Sequence, residues 1–239
     1  MEKALYPITY DHSMKISLAK GNHKLGKRIW NFNTLPGDEP LRNNTKGLLT
    51  NVRGTCGGCC EGCKGACYAI RDGKFHSNSC IPAWSKNTLI ARHDPDKMFN
   101  QVATELNKHK AKVMRWHSSG EIINYDYLLH MVKLAVQMPM VQFYFYTKRF
   151  ELIDRYLKEF KKFPKNLVAN ISVWHDNANG YNFGKCNQFI YDDGTDPEIA
   201  KMRHCPAVDK KGNSTGITCE ECGWCFKGNF GRKTAVYDH

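Results

Sequence analysis

The stretch from Thr55 to Ala69 puts Cys56, Cys59, Cys60, Cys63 and Cys67 into a loop that also holds Gly57, Gly58, Gly62 and Gly65. It has too few apolar side chains to pack by itself, so thiolate coordination is what would order it. Thiolates this close in sequence converge on one centre only where the backbone wraps tightly, and glycine permits the dihedrals that wrapping needs. The chain of 239 residues carries 11 cysteines in all. Its first residues, Met-Glu-Lys-Ala-Leu-Tyr-Pro, lack an apolar core of signal-peptide length, and no run approaches the roughly 18 apolar residues that span a bilayer. The expectation is a cytoplasmic, reducing setting, thiolate ligands rather than disulfides, and no membrane partner.

A second cysteine group lies near the end of the chain, with Cys205 followed by Cys219-x2-Cys222-x2-Cys225. Three cysteines at this spacing resemble the ligand run that wraps one face of a [4Fe–4S] cluster while a fourth arrives from a distance. Zinc is the alternative here, although structural zinc sites more typically show two separate Cys-x2-Cys pairs. Glu220, Glu221 and Gly223 mark an exposed polar turn, and Trp224 and Phe226 would shield the centre from solvent. Cys80 and Cys186 have no neighbours in sequence and read as core or incidental thiols.

With 41% hydrophobic and 24% charged residues the chain is globular, and its length suits a single α/β domain over residues 1–239. Within it we expect a lead-in over 1–54, an α/β core over 55–200 that begins with the first cysteine loop, and a cysteine-rich C-terminal extension over 201–239. Residues 13 to 36 read as a hairpin broken at Gly21-Asn22, residues 37 to 45 as a surface loop, and Leu48 to Val52 as a strand entering the cysteine loop. Helices are expected from Pro82 to Arg92, from an Asp94-Pro95 start to about Lys108, from Asn124 to Gln137 and from Phe150 to Phe160. Strands alternate with them at Lys112 to His117, Gln142 to Thr147 and Leu167 to Trp174. Such alternation implies parallel strands joined by right-handed crossovers, with ligands at the carboxyl ends of the strands. That rule selects the cysteine loop, Ser119-Gly120-Glu121, Tyr146-Thr147-Lys148 and Trp174-His175-Asp176.

Cys56-x3-Cys60-x2-Cys63 fits the three-cysteine spacing of radical S-adenosylmethionine (SAM) enzymes, with Gly62 where an aromatic usually stands; Cys56-x6-Cys63-x3-Cys67 is the competing set. A longer series of motifs is more specific. Lys15-Ile-Ser, Asn22-His-Lys-Leu-Gly, Leu35-Pro, Thr55-Cys-x6-Cys-x3-Cys-Tyr-Ala, Arg115-Trp-His-Ser-Ser-Gly-Glu-Ile and Phe143-Tyr-Phe-Tyr-Thr-Lys follow one another. In this order they resemble the mycobacteriophage gene-product-eighty-eight family over roughly residues 13 to 225. The resemblance implies a partial (β/α) barrel of the radical-SAM-like, TIM-barrel-related type and a phage protein in the cytoplasm of an infected bacterial host. It favours Cys56, Cys63 and Cys67 as first-centre ligands, leaves Cys59 and Cys60 as extra cysteines, and supplies no reaction.

Ser119-Gly120-Glu121 is similar to the Gly-Gly-Glu segment of radical-SAM enzymes that holds the amino group of SAM, with Ser in place of the first Gly. The same likeness places Thr147 and Lys148 at the ribose and carboxylate of SAM, with Arg115, His117 and His175 lining the pocket. The structural alternative for Glu121 is a cap or first-turn acid of the helix that starts at Asn124. The expected function is an enzyme with two [4Fe–4S] clusters. Cys56, Cys63 and Cys67 would leave one iron open for SAM, which is cleaved reductively to a 5′-deoxyadenosyl radical; Cys205, Cys219, Cys222 and Cys225 would hold a fully ligated cluster. An electron donor is then a required partner. A net charge of +12 and the phage resemblance point to a nucleotide or nucleic acid as substrate, and Lys227-Gly-Asn-Phe-Gly-Arg-Lys mixes cationic and aromatic groups as single-strand binders do. The competing expectation is a phage protein without catalysis, stabilised by zinc or iron–sulfur and binding a nucleic acid or a host protein.

Overall fold

The computed structural model describes residues 2–57, 60–174 and 180–237. Its main sheet has seven strands: β1 (Leu18–Asn22), β2 (Gly26–Phe32), β5 (Val113–Trp116), β6 (Gln142–Thr147), β7 (Leu167–Val173), β8 (Asn187–Tyr191) and β9 (Lys233–Val236), adjacent in that order. β1 and β2 form an antiparallel hairpin, and from β2 onward every neighbouring pair is parallel. The chain is therefore α/β with a mostly parallel sheet. Among the described residues the sheet stays open, with β1 and β9 at its edges, so the expected barrel is reduced to this strand order.

Two expectations about the start of the chain change. The Leu48–Val52 strand exists as β4 (Gly47–Arg53), but it pairs with β3 (Pro40–Asn43) in a separate two-stranded sheet, inside what reads from sequence as a surface loop. The first parallel strand of the main sheet is β2, so the lead-in carries part of the sheet. The hairpin turn falls at residues 23–25, where the Asn22 side chain accepts from the amides of Lys24 (3.0 Å) and Leu25 (2.6 Å). Such an Asx turn satisfies backbone donors that a strand would otherwise bond.

The helices are α1 (Glu61–Gly65), α2 (Tyr68–Phe75), α3 (Ser77–His93), α4 (Pro95–Lys108), α5 (Tyr125–Gln137), α6 (Phe150–Phe160), α7 (Pro197–Ala200) and α8 (Cys219–Cys222). α4 starts as its sequence dictates, with Asp94 accepting from the Lys97 amide at 3.1 Å and Pro95 in the first turn. α6 stops at Phe160 because Lys161 takes a left-handed conformation (φ 67°), ahead of Pro164. Period-two alternation on β6 divides the two faces of the sheet. Phe143 and Phe145 enter the main core with Val102 and Leu106 of α4, Leu128 of α5 and Ile153 of α6, while Tyr144 packs with Leu25, Ile29 and Val168 on the opposite face.

That opposite face is covered by the segment between β8 and β9. The amides of Cys219 and Glu220 donate to the carbonyls of Lys24 (2.9 Å) and Leu25 (3.0 Å), and the Glu220 carboxylate takes the Lys27 amide and the Arg28 side chain. At the other end Asn170 donates to the Cys225 carbonyl (3.0 Å), Asn187 to that of Gly228 (3.0 Å), and Asn229 bonds both Ala169 and Leu167 of β7. The C-terminal segment fills one face of the sheet and supplies strand β9.

Candidate functional site

A cavity of about 220 Å³ opens at the carboxyl ends of the parallel strands. Its wall includes Cys56, Cys63 and Cys67 from the first cysteine loop and Cys205, Cys219, Cys222 and Cys225 from the last. It also includes Ser119, Gly120 and Glu121 after β5, and Thr147 and Lys148 at the end of β6. These residues, from two distant cysteine stretches and two strand ends, line one cavity. Cys60 stands at the N-terminal boundary of α1 and Cys80 within α3, both outside the wall, and Cys186 is 2% exposed in the main core. Arg115 and His117 contribute to the wall; Cys59, His175 and Asp176 lie outside the described residues.

Thr55 locks the first loop to the turn after β5. Its amide donates to Leu35 at 2.9 Å, its hydroxyl bonds that of Thr34 at 2.9 Å, and it accepts from the Glu121 amide at 2.9 Å. Gly120 has φ 83°, and a Cβ there would collide with the hydroxyls of Thr34 and Thr55. Only glycine fits this bend. Ser119 closes the same turn, its hydroxyl donating to the Thr34 carbonyl at 2.9 Å.

Glu121 is 8% exposed. Its carboxylate accepts from the amides of Ile122 (2.7 Å) and Lys148 (2.8 Å) and from the Thr147 hydroxyl (2.8 Å). Burial pushes its carboxyl up, against the pull of these three donors. The helix-cap alternative falls away, since Asn124 caps α5 by accepting from the Tyr127 amide at 2.8 Å. Glu121 instead ties the end of β5 to the end of β6, and three of the roughly four acceptor positions of a carboxylate are in use. The Thr147 hydroxyl, which also accepts from the Arg149 amide at 2.9 Å, serves to hold Glu121 in place. Lys148 reaches Ser172 (3.0 Å), lies 5.6 Å from the Trp174 ring centroid and bonds the Cys63 thiol, whose ionisation is pushed up by burial and eased by that ammonium.

The C-terminal cysteines sit together. Burial pushes the thiols of Cys219 and Cys225 up, the latter to about 12, and Cys225 is further opposed by Cys205, Cys219 and Cys222. Trp224 is held between Arg203 and Arg232, 4.4 and 4.2 Å from its centroid. Arg232 also bonds the Trp224 carbonyl at 3.0 Å, so the basic ending is folded onto its own aromatics.

Among the described residues no group of three or more His, Cys, Asp or Glu side chains is placed to hold a single metal ion. A tetrahedral zinc site needs its sulfurs about 3.8 Å apart, from Zn–S bonds of about 2.3 Å. An iron–sulfur cube, with one thiolate on each iron corner, spaces its ligands more widely. The wall also contains buried polar atoms without partners among the described residues, Arg115 Nε, Ser118 Oγ and the Tyr144 hydroxyl. Buried donors are normally satisfied, so this wall is built to face something polar. The donor set and these unpartnered atoms fit a thiolate-bound cluster.

Residues that sequence reading passes over include Lys24, Tyr68, Tyr144, Ser172 and Tyr191, all in the wall. Tyr68, next to Cys67, donates to the Ser118 carbonyl and accepts from Arg115 at 3.4 Å. The inward period-two positions of β6 and β7 give a signal for Tyr144 and Ser172. Lys24 in a turn gives none.

Fold and wall together define an α/β protein with a cysteine-lined cavity at the carboxyl ends of its parallel strands. The family model described as Gene product 88, a phage gene-product family, matches residues 16–228, and the chain belongs to that family. No curated protein matches the chain, and no solved structure does. Among the described residues no helix is long and apolar enough to cross a membrane.

Proposed function

We propose that the chain is a radical-SAM-like iron–sulfur enzyme. Cys56, Cys63 and Cys67 would hold a [4Fe–4S] cluster with one open iron, Cys205, Cys219, Cys222 and Cys225 a second cluster, and SAM would bind beside the first. One observation carries this reading: seven cysteines from two distant stretches line the same cavity as Ser119–Glu121 and Lys148, whereas Cys60, Cys80 and Cys186 do not. A zinc knuckle that only staples the fold has no need of a shared cavity with a carboxylate and a lysine in its wall.

An open-iron cluster with SAM supplies one-electron reductive cleavage of a carbon–sulfur bond, fed by an external electron donor. The protein's part is binding and orientation. Glu121, with one acceptor position left, suits an ammonium group, which takes a charge-assisted bond. Lys148 suits a carboxylate. Gly120 keeps the wall clear of side chain where the turn is tightest. The net charge of +12 favours a nucleotide or nucleic acid as substrate, and binding of such a substrate should weaken as salt rises.

The test is iron, sulfide and zinc content per chain on anaerobically purified protein, for wild type and Cys63→Ala, with spectra of the reduced protein with and without SAM. About eight irons and eight sulfides, falling to about four in the variant, together with a SAM-induced spectral change, is the expected result. Zinc without sulfide would leave a metal-stapled binding protein, and clusters indifferent to SAM would remove the enzyme from the proposal.

A further inference from the structure

We infer that Arg115 and Lys24, with the Tyr144 hydroxyl, form the counter-charge of the four-cysteine centre, retaining its metal and setting its reduction potential. The inference rests on the reading that Cys205, Cys219, Cys222 and Cys225 bind metal. Four thiolates around an oxidised [4Fe–4S] core, or around zinc, carry a net charge of about −2. A charge of that size inside a protein requires compensation nearby.

The cavity wall is unbalanced in the right sense. Its cations are Lys24, Arg115 and Lys148, and its carboxylate is Glu121. Glu121 and Lys148 meet at the end of β6, on the side of Cys63. Lys24 and Arg115 are within electrostatic reach of Cys219, and Lys24 also of Cys205; Asp72 of α2 acts on Lys24 as well. Geometry fixes both cations there. The carbonyl of Lys24 accepts from the Cys219 amide at 2.9 Å, so the turn that carries the ammonium also seats the cysteine. Arg115 points inward from β5, its guanidinium 4.8 Å from the Tyr146 centroid and 3.4 Å from the Tyr68 hydroxyl, with Nε buried and unpartnered among the described residues.

Tyr144 is fully buried, with its ring 5.2 Å from that of Phe226, and its hydroxyl has no partner among the described residues. An N–H and an O–H donor on the wall of a thiolate centre are the groups that bond its sulfurs, and such bonds raise the potential of a cluster. Arg115 bonds Tyr68, the neighbour of Cys67, and its charge also acts on Cys219.

The experiment uses full-length, anaerobically purified protein and compares wild type with Arg115→Met, Arg115→Lys and Tyr144→Phe. Metal loss to a chelator and the reduction potential of each centre are followed spectroscopically, with Cys63→Ala and Cys222→Ala assigning the signals. Arg115→Met is expected to lose metal from the C-terminal centre about tenfold faster or more and to lower that centre's potential. Arg115→Lys should recover most of both effects, and Tyr144→Phe should shift the potential the same way by less. Should Arg115→Met fail to fold, the other two variants carry the comparison. Unchanged potential and chelator kinetics would overturn the inference. So would loss of binding of inorganic pyrophosphate in Arg115→Met without any change at the centre, which would make this corner a substrate-anion subsite. A wild type whose metal content is unaffected by Cys222→Ala would instead remove the functional reading on which the inference stands.

Discussion

His117 offers a pH test of how the end of β5 is built. Its ring is 4% exposed, lies near Phe32, Trp116 and Tyr127, and has Nδ1 3.4 Å from the Thr34 hydroxyl and Nε2 unpartnered among the described residues. Burial, assisted by the charge of Arg115, lowers its ionisation to about 3, against an ordinary value near 6.5. The folded-state value is depressed, so the neutral ring's contribution is fully present above pH 6.5 and is lost as pH falls toward 3. Each unit in that window is worth about 1.4 kcal/mol, which gives about 2 kcal/mol at pH 5. His117 has φ 54°, a conformation asparagine tolerates, so His117→Asn removes the titration without forcing the backbone. The assay is urea unfolding of wild type and variant at pH 7.5, 6 and 5. Other titrations occur in both proteins and cancel in the difference. Wild type should lose about 2 kcal/mol more than His117→Asn between pH 7.5 and 5. Equal losses would refute the argument and place the ring in contact with water.

Gly120→Ala combines a left-handed backbone with collisions against Thr34 and Thr55, and should cost about 2 kcal/mol or more in denaturant unfolding while also lowering SAM affinity in equilibrium binding; an unchanged midpoint would contradict the packing of this turn. Cys60→Ala should keep the iron content of wild type and Cys67→Ala should lose the first cluster, as measured by iron and sulfide per chain; the reverse pattern would favour the Cys56, Cys60, Cys63 set. Cys186, whose thiol burial pushes to about 12, should resist alkylation by iodoacetamide at pH 8 in the native protein and react on unfolding, as read by peptide mass; native labelling would place it outside the core.

Local rules carry far in this chain where one segment determines its own structure. The Asp94-Pro95 start of α4, the aromatic alternation of β6 and the i, i+3, i+4, i+7 pattern of α6 are all realised, with β6 and α6 at the expected boundaries. The rule that ligands gather at strand ends brings Glu121 and Lys148 to the cavity without any knowledge of their contacts. What it misassigns is the strand preceding the first cysteine loop. Leu48 to Val52 looks like a sheet strand because it is apolar and leads into Cys56, yet β2 holds that place by pairing with β5, a partner remote in sequence. β8 and β9 escape notice for a related reason. Asn187-Gln-Phe-Ile-Tyr and Lys233-Thr-Ala-Val are short, and both become strands through neighbours already in the sheet.

The two cysteine groups illustrate the same limit at the site. Spacing groups the cysteines of each stretch, but it says nothing about whether the two groups face one another. Their convergence depends on polar side chains with no motif of their own. Thr55 joins the first loop to the turn after β5, while Asn170, Asn187 and Asn229 pin the segment carrying Cys225 across β7 and β8. Buried asparagines are costly unless their donors and acceptors are met; Asn170 and Asn187 donate to the backbone of the returning segment, and Asn229, within it, bonds the backbone of β7. These contacts hold the segment that carries Cys219, Cys222 and Cys225 over the inner face of the sheet. Lys24, an ordinary turn lysine in sequence, acquires its place in the cavity wall only once Cys219 is seated on its carbonyl.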